Sequence, residues 1–212
     1  MSIKIKNNLI ASFTLIELII SVGIIVVVII SAVGVYLYSI GPQQKTIATT
    51  NLQQDGQLIF NLIAKDIRAN QIDYDYYGCL TDCSTPTDVL ALTDAASPAT
   101  FIQYRRCKYG ENTDCTGAAG EICALKKCRG STCGDCTTEG VWGEVTMADI
   151  SVTKFDVYIC PSCDPFISEA TKYQIPQATI VLELKSRKEK FGEHRIRLQQ
   201  TIPQRYQEKG RY

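Results

Sequence analysis

Ten of the 212 residues are cysteines, and thiols at that density cross-link, hold a soft metal or carry electrons. Cys79, Cys83, Cys107, Cys115, Cys123, Cys128, Cys133, Cys136, Cys160 and Cys163 form an even set. In an oxidising compartment such a set pairs most simply into five disulfides, and spacing does not say which cysteine joins which. The alternative is a four-thiolate zinc site. Cys133-x-x-Cys136 and Cys160-x-x-Cys163 have the ligand spacing, with a gap somewhat longer than usual between the pairs. A redox-active CxxC would need a thioredoxin-like strand and helix around it, and the pattern shows neither. No other metal or cofactor is expected.

The second chemically pointed residue is Glu17. It heads a run, residues 18–40, with no charged side chain, and the next charge is Lys45. About 20 apolar residues cross the hydrocarbon core of a bilayer as a helix, so this run is long enough. A carboxylate placed there is costly and is rarely kept without a role. The remaining candidates are weaker. His194 is the only histidine, and Asp73, Asp75 and Asp82 lack the spacing of a calcium loop. No Gly-rich phosphate loop, serine nucleophile elbow or His/carboxylate cluster appears, so the chain reads as non-catalytic. Lys plus Arg and Asp plus Glu are both 22, which leaves no basic excess for nucleic acid.

The elements that position these residues follow in order. Residues 1–12 form a polar leader with Lys4 and Lys6, which should stay cytoplasmic and send the rest of the chain across the membrane. Residues 13–40 are the apolar helix. Gly41-Pro42 predicts a kink or local melting without ending it. Residues 41–70 predict an amphipathic continuation, with Ile47, Leu52, Ile59, Ile63 and Ile67 on the apolar stripe and Leu58 and Leu62 widening it. Residues 74–78 read as irregular loop.

Residues 71–212 then predict a β-rich head. Strands are expected at 88–93, 100–106, 152–160, 179–186 and 194–202, the last two as an antiparallel hairpin. Residues 107–140, dense in Gly, Cys, Thr and Asp, read as an irregular insertion held by cross-links, with one short strand-like piece at 121–127. Trp142 is expected as a core anchor or subunit contact. Helix first and antiparallel strands after give an α+β fold.

A Lys-bearing leader, the small residue Ser12, then Phe13-Thr14-Leu15-Ile16-Glu17 and a long apolar helix resembles the type IV prepilins and pseudopilins. The patterns at 51–70 and 139–205 are similar to PilW-type minor pilins and J-type pseudopilins of type II secretion. The resemblance implies cleavage by a prepilin peptidase between Ser12 and Phe13, where most members have Gly in place of Ser12. It also implies N-methylation of Phe13 and pairing of Glu17 with a neighbouring subunit's terminal amine. The expected partners are other pilin or pseudopilin subunits, the peptidase and the membrane, with the head outside the cytoplasm, at the cell surface or in a periplasmic filament. The alternatives are a single-span anchored extracellular binding protein, whose disulfide-rich domain recognises a surface or ligand, and ordinary signal-peptide cleavage near Ser31-Ala32-Val33.

Overall fold

The computed structural model describes residues 14–205 apart from 79, 81, 95, 112, 117, 119, 132, 138–141, 166–173 and 188–193. The leader, Ser12 and Phe13 therefore lie outside the described residues. The chain divides into two compact units, Met1–Gln44 and Lys45–Tyr212.

The first unit contains the start of α1 (Leu15–Ala69). This helix is long and apolar enough to cross a membrane, and its most apolar stretch is not buried at all. Its serines leave no hydroxyl for water to satisfy. Ser21, Ser31 and Ser39 each donate to the carbonyl four residues earlier, at 2.8, 2.8 and 2.9 Å. That back-bonding suits a helix surrounded by lipid. The helix assignment runs unbroken through Gly41 and Pro42, so the local melting expected there does not occur. Proline removes one rung of the ladder, and the turns on either side hold.

In the second unit α1 changes character. Leu52, Gly56, Ile59, Phe60, Ile63, Ala64 and Ile67 are buried, at intervals of three and four that put them on one face. One predicted stripe position and both of the widening pair do not follow. Ile47 and Leu58 are 59% and 54% exposed, and Leu62 is 37% exposed. The buried face widens on its other side, where small Gly56 and Ala64 admit the sheets closely.

The described strands form two sheets. One is antiparallel in the order β1 (Gln71–Ile72), β2 (Val89–Thr93), β3 (Phe101–Lys108), β4 (Cys123–Gly130), β5 (Trp142–Glu144). The other is antiparallel β6 (Ile150–Cys160), β7 (Gln177–Ser186), β8 (Arg195–Pro203), which contains the expected hairpin. The two are stitched by mutual Thr87–Val157 backbone bonds of 2.8 Å. One core joins the helix stripe to Leu90, Leu92, Ile102, Tyr104 and Leu125 of the first sheet and to Val152, Phe155, Ile180 and Leu184 of the second. The fold is α+β, a long N-terminal helix packed on antiparallel sheets.

Three strand-level expectations are corrected. Residues 107–140 are not a separate irregular insertion, because β4 within them pairs with β3 on one side and β5 on the other. Residues 74–77 form a short helix, α2 (Tyr74–Tyr77), capped by the Asp73 carboxylate accepting from the Tyr76 N–H at 3.1 Å. Strict alternation would put Val152 on the outer face of β6 with Lys154. Instead a register shift between those two residues turns Val152 inward, in phase with Phe155 and Val157. The Thr153 hydroxyl, at the shift, donates to Glu183 Oε1 at 2.9 Å.

A side chain at Gly56 would collide with Leu198 Cδ1 of β8 and come within 3.3 Å of Leu184 Cδ1 of β7. Gly56→Leu should destabilise the head by about 1–3 kcal/mol through overpacking. Leu198→Ala in the same chain should recover part of that loss. Thermal unfolding of the four variants checks it, and simple additivity of the two losses would contradict the close approach.

Candidate functional site

Three features of the described residues could carry function: the head of the apolar helix, the disulfide framework and a cleft at one end of the first sheet.

Glu17 lies in the first turn of α1, with its N–H donating to Thr14 O at 3.0 Å and its side chain exposed. An acid in the first turn faces the positive end of the helix dipole. Ser12 and Phe13, the expected processing pair, lie outside the described residues.

The cysteines pair as Cys83–Cys160, Cys107–Cys136, Cys115–Cys123 and Cys128–Cys133. Cys163 is also disulfide-bonded, and Cys79 lies outside the described residues. The zinc alternative required Cys133, Cys136, Cys160 and Cys163 to converge. The structure instead sends Cys133, Cys136 and Cys160 to three different partners, Cys128, Cys107 and Cys83. Beside Cys107–Cys136, Arg105 reaches Asp135 at 2.6 Å and Asp114 at 3.3 Å, so ion pairs and cross-link fasten the same loop to β3. Cys83–Cys160, by contrast, ties the segment before β2 to the end of β6, across the two sheets.

Loop-closure entropy ranks these bonds. Cys83–Cys160 has a sequence separation of 77 and Cys128–Cys133 one of 5, which corresponds to about 4.5 and about 2 kcal/mol of unfolded-state constraint. Replacing Cys83 and Cys160 by Ser should lower the denaturant midpoint clearly more than replacing Cys128 and Cys133. Equal losses would show that strand packing, not chain constraint, sets their contribution.

The cleft has a volume of about 610 Å³ and is walled by β1, α2, the ends of β2, β3 and β4, and Gln204. Its polar groups fall into two kinds. Some are committed to the fold. Asp73 caps α2, and its carboxyl is raised above the usual range by burial, partly offset by the Tyr76 N–H. Asp94 accepts from the Ala96 N–H at 2.9 Å and from Arg129 at 2.6 Å. Others are not committed. Gln103 and Gln204 are each 4% exposed. No described residue hydrogen-bonds the Gln103 carboxamide. Gln204 Oε1 accepts the Ile72 N–H at 3.1 Å, which leaves its Nε2 donor to the cleft. In the wall, the buried Tyr74 hydroxyl has no partner among the described residues.

Sequence reasoning missed this cleft. Gln103 alternates in phase with Phe101 on β3, and a polar residue on an alternating strand reads as facing solvent. The acidic loop does not form one cluster: Asp82 is occupied in its own turn, accepting from the Ser84 N–H at 2.8 Å and hydroxyl at 2.7 Å. Trp142 sits half-buried on β5, and His194 adjoins β8, where its carbonyl accepts from the Ser186 N–H.

The Ala96 N–H and then the Arg129 guanidinium hold Asp94 below the usual carboxylate range. A depressed folded-state value contributes stability above the unfolded value of 3.8, lost as pH falls through the folded value. Arg129→Met should move the Asp94 midpoint upward in an NMR titration and shift acid destabilisation to higher pH. An unmoved midpoint would assign the depression to the backbone N–H groups of Ala96 and Ser97.

Comparison with protein-family models, with curated proteins and with solved structures returns no match. The architecture is pilin-like: a long apolar N-terminal helix whose second half packs on antiparallel sheets of a disulfide-bonded head.

Proposed function

We propose that the chain is a minor pilin or pseudopilin, a non-catalytic subunit of a type IV pilus or type II secretion-like filament, assembled through its N-terminal helix. The observation that carries this reading is the exposure of that helix. Eighteen large apolar side chains between Leu15 and Tyr38 are all at least 47% exposed. Shielding a side chain of this kind is worth about 1.5–3 kcal/mol, so the segment forgoes on the order of 30 kcal/mol in water. A domain's whole stability is only about 5–15 kcal/mol. The helix is therefore made for another environment, the bilayer first and then the packed helices of neighbouring subunits.

Glu17 supports assembly over simple anchoring. An anchor gains nothing from a carboxylate near the start of its span, and in a helix bundle that charge requires a cation close by. The amine of Phe13 on an adjacent subunit, exposed by prepilin-peptidase cleavage after Ser12, supplies one. The disulfide framework fits a head that works outside the cytoplasm.

Intact mass and N-terminal sequencing of the protein from its native membrane test the processing step. A chain beginning with methylated Phe13 is expected. A retained Met1 would favour the single-span anchored binding protein, and a terminus just after Val33 would mean secretion. Glu17→Ala should be processed normally yet recovered poorly in sheared filaments, and wild-type recovery would remove Glu17 from assembly.

A further inference from the structure

We propose that the cleft beside α2 is a saccharide-binding site. This stands apart from the filament reading, since it uses only residues of the head.

The argument rests on which hydrogen-bonding groups the fold leaves unused. Here two carboxamides line one cavity and are open to a ligand: among the described residues nothing bonds the Gln103 amide, and only Oε1 of the Gln204 amide is taken. The orientation of Gln204 is not arbitrary. The Ile72 N–H can only donate, so the atom it meets must be the carbonyl oxygen, and the amine must point the other way.

That donor decides the ligand class. A metal ion or an ammonium group would satisfy the carboxylate of Asp75, which also lines the cleft, but would leave the Gln204 amine facing a cation. A hydroxyl serves every group present, because it donates to a carboxylate or amide oxygen and accepts from an amide N–H. Several hydroxyls on one rigid frame make a sugar ring. The apolar side of the cleft fits the same ligand. Phe101 and Tyr76 line it, and Tyr76 is 45% exposed, giving aromatic surface for the C–H face of a pyranose. A volume of about 610 Å³ lies in the ligand-pocket range of about 300–1,000 Å³, with room for one or two rings.

The test uses full-length protein, solubilised in a detergent without a sugar headgroup. Saturation-transfer NMR is run with lactose, maltose and N,N′-diacetylchitobiose, and separately with calcium chloride, spermidine and trialanine as competitors. At least one disaccharide should bind in the millimolar range or tighter. Gln103→Leu should weaken it about tenfold, the loss of roughly one to two hydrogen bonds. Ser131→Trp, a change at an exposed cleft residue, should block it while leaving the fold intact even if Gln103→Leu does not fold. Absence of saccharide binding, binding unaltered by Ser131→Trp, or displacement by calcium, spermidine or trialanine at lower concentration than the sugar itself would each overturn the assignment.

Discussion

Between Leu52 and Ile67 one face of α1 is closed to water, and both sheets of the head are built on that face. Besides this contact, the sheets are joined by the Cys83–Cys160 cross-link, the Thr87–Val157 bridge, side chains of the shared core and bonds such as Cys123 N–H to Ser151 Oγ. The stripe also explains where small residues fall: Gly56 admits Leu198, and Ala64 follows two turns on. A polar peg fixes the helix against sliding. Asp66 accepts from the Tyr104 hydroxyl and from Lys127, both at 2.5 Å, linking α1 to β3 and β4 beside the apolar contact. Burial and the neighbouring Asp66 carboxylate push the Tyr104 phenol up, so it stays a donor throughout the physiological range.

The same helix is written in two dialects. In its first part apolar residues cover the whole circumference, as lipid or a helix bundle requires. In its second they are confined to one side, as a sheet requires. The change falls after Ile40, near the division between the two compact units.

Much of the head was legible because strand signals are local. The segments at 88–93, 100–106, 152–160, 179–186 and 194–202 became β2, β3, β6, β7 and β8 within a residue or two. What escaped depended on neighbours distant in sequence. Gln71–Ile72 is a strand only because Thr93 and Leu92 lie beside it. β5 exists because β4 offers it an edge. Leu58 and Leu62 look like core residues by period and are left outside because the sheets approach from the Gly56 and Phe60 side. Val152 changes face through a shift that alternation cannot anticipate. The cleft is the extreme case, since no property of a glutamine shows that its amide will line a cavity. Ser12 and Phe13 remain expectations from the motif.

The four disulfides paired among the described residues are nested like brackets. Cys115–Cys123 and Cys128–Cys133 lie inside Cys107–Cys136, which lies inside Cys83–Cys160. A chain delivered N-terminus first presents Cys83 and Cys107 long before their partners arrive. If thiols oxidised in order of emergence, Cys79 would take Cys83, and Cys107 would take Cys115. Correct pairing of Cys83 waits for Cys160, so biosynthesis has to delay oxidation or undo the premature bond by thiol–disulfide exchange. Yield of this head in a host cell should therefore depend on the timing of oxidation and on isomerase capacity, not on oxidase capacity alone.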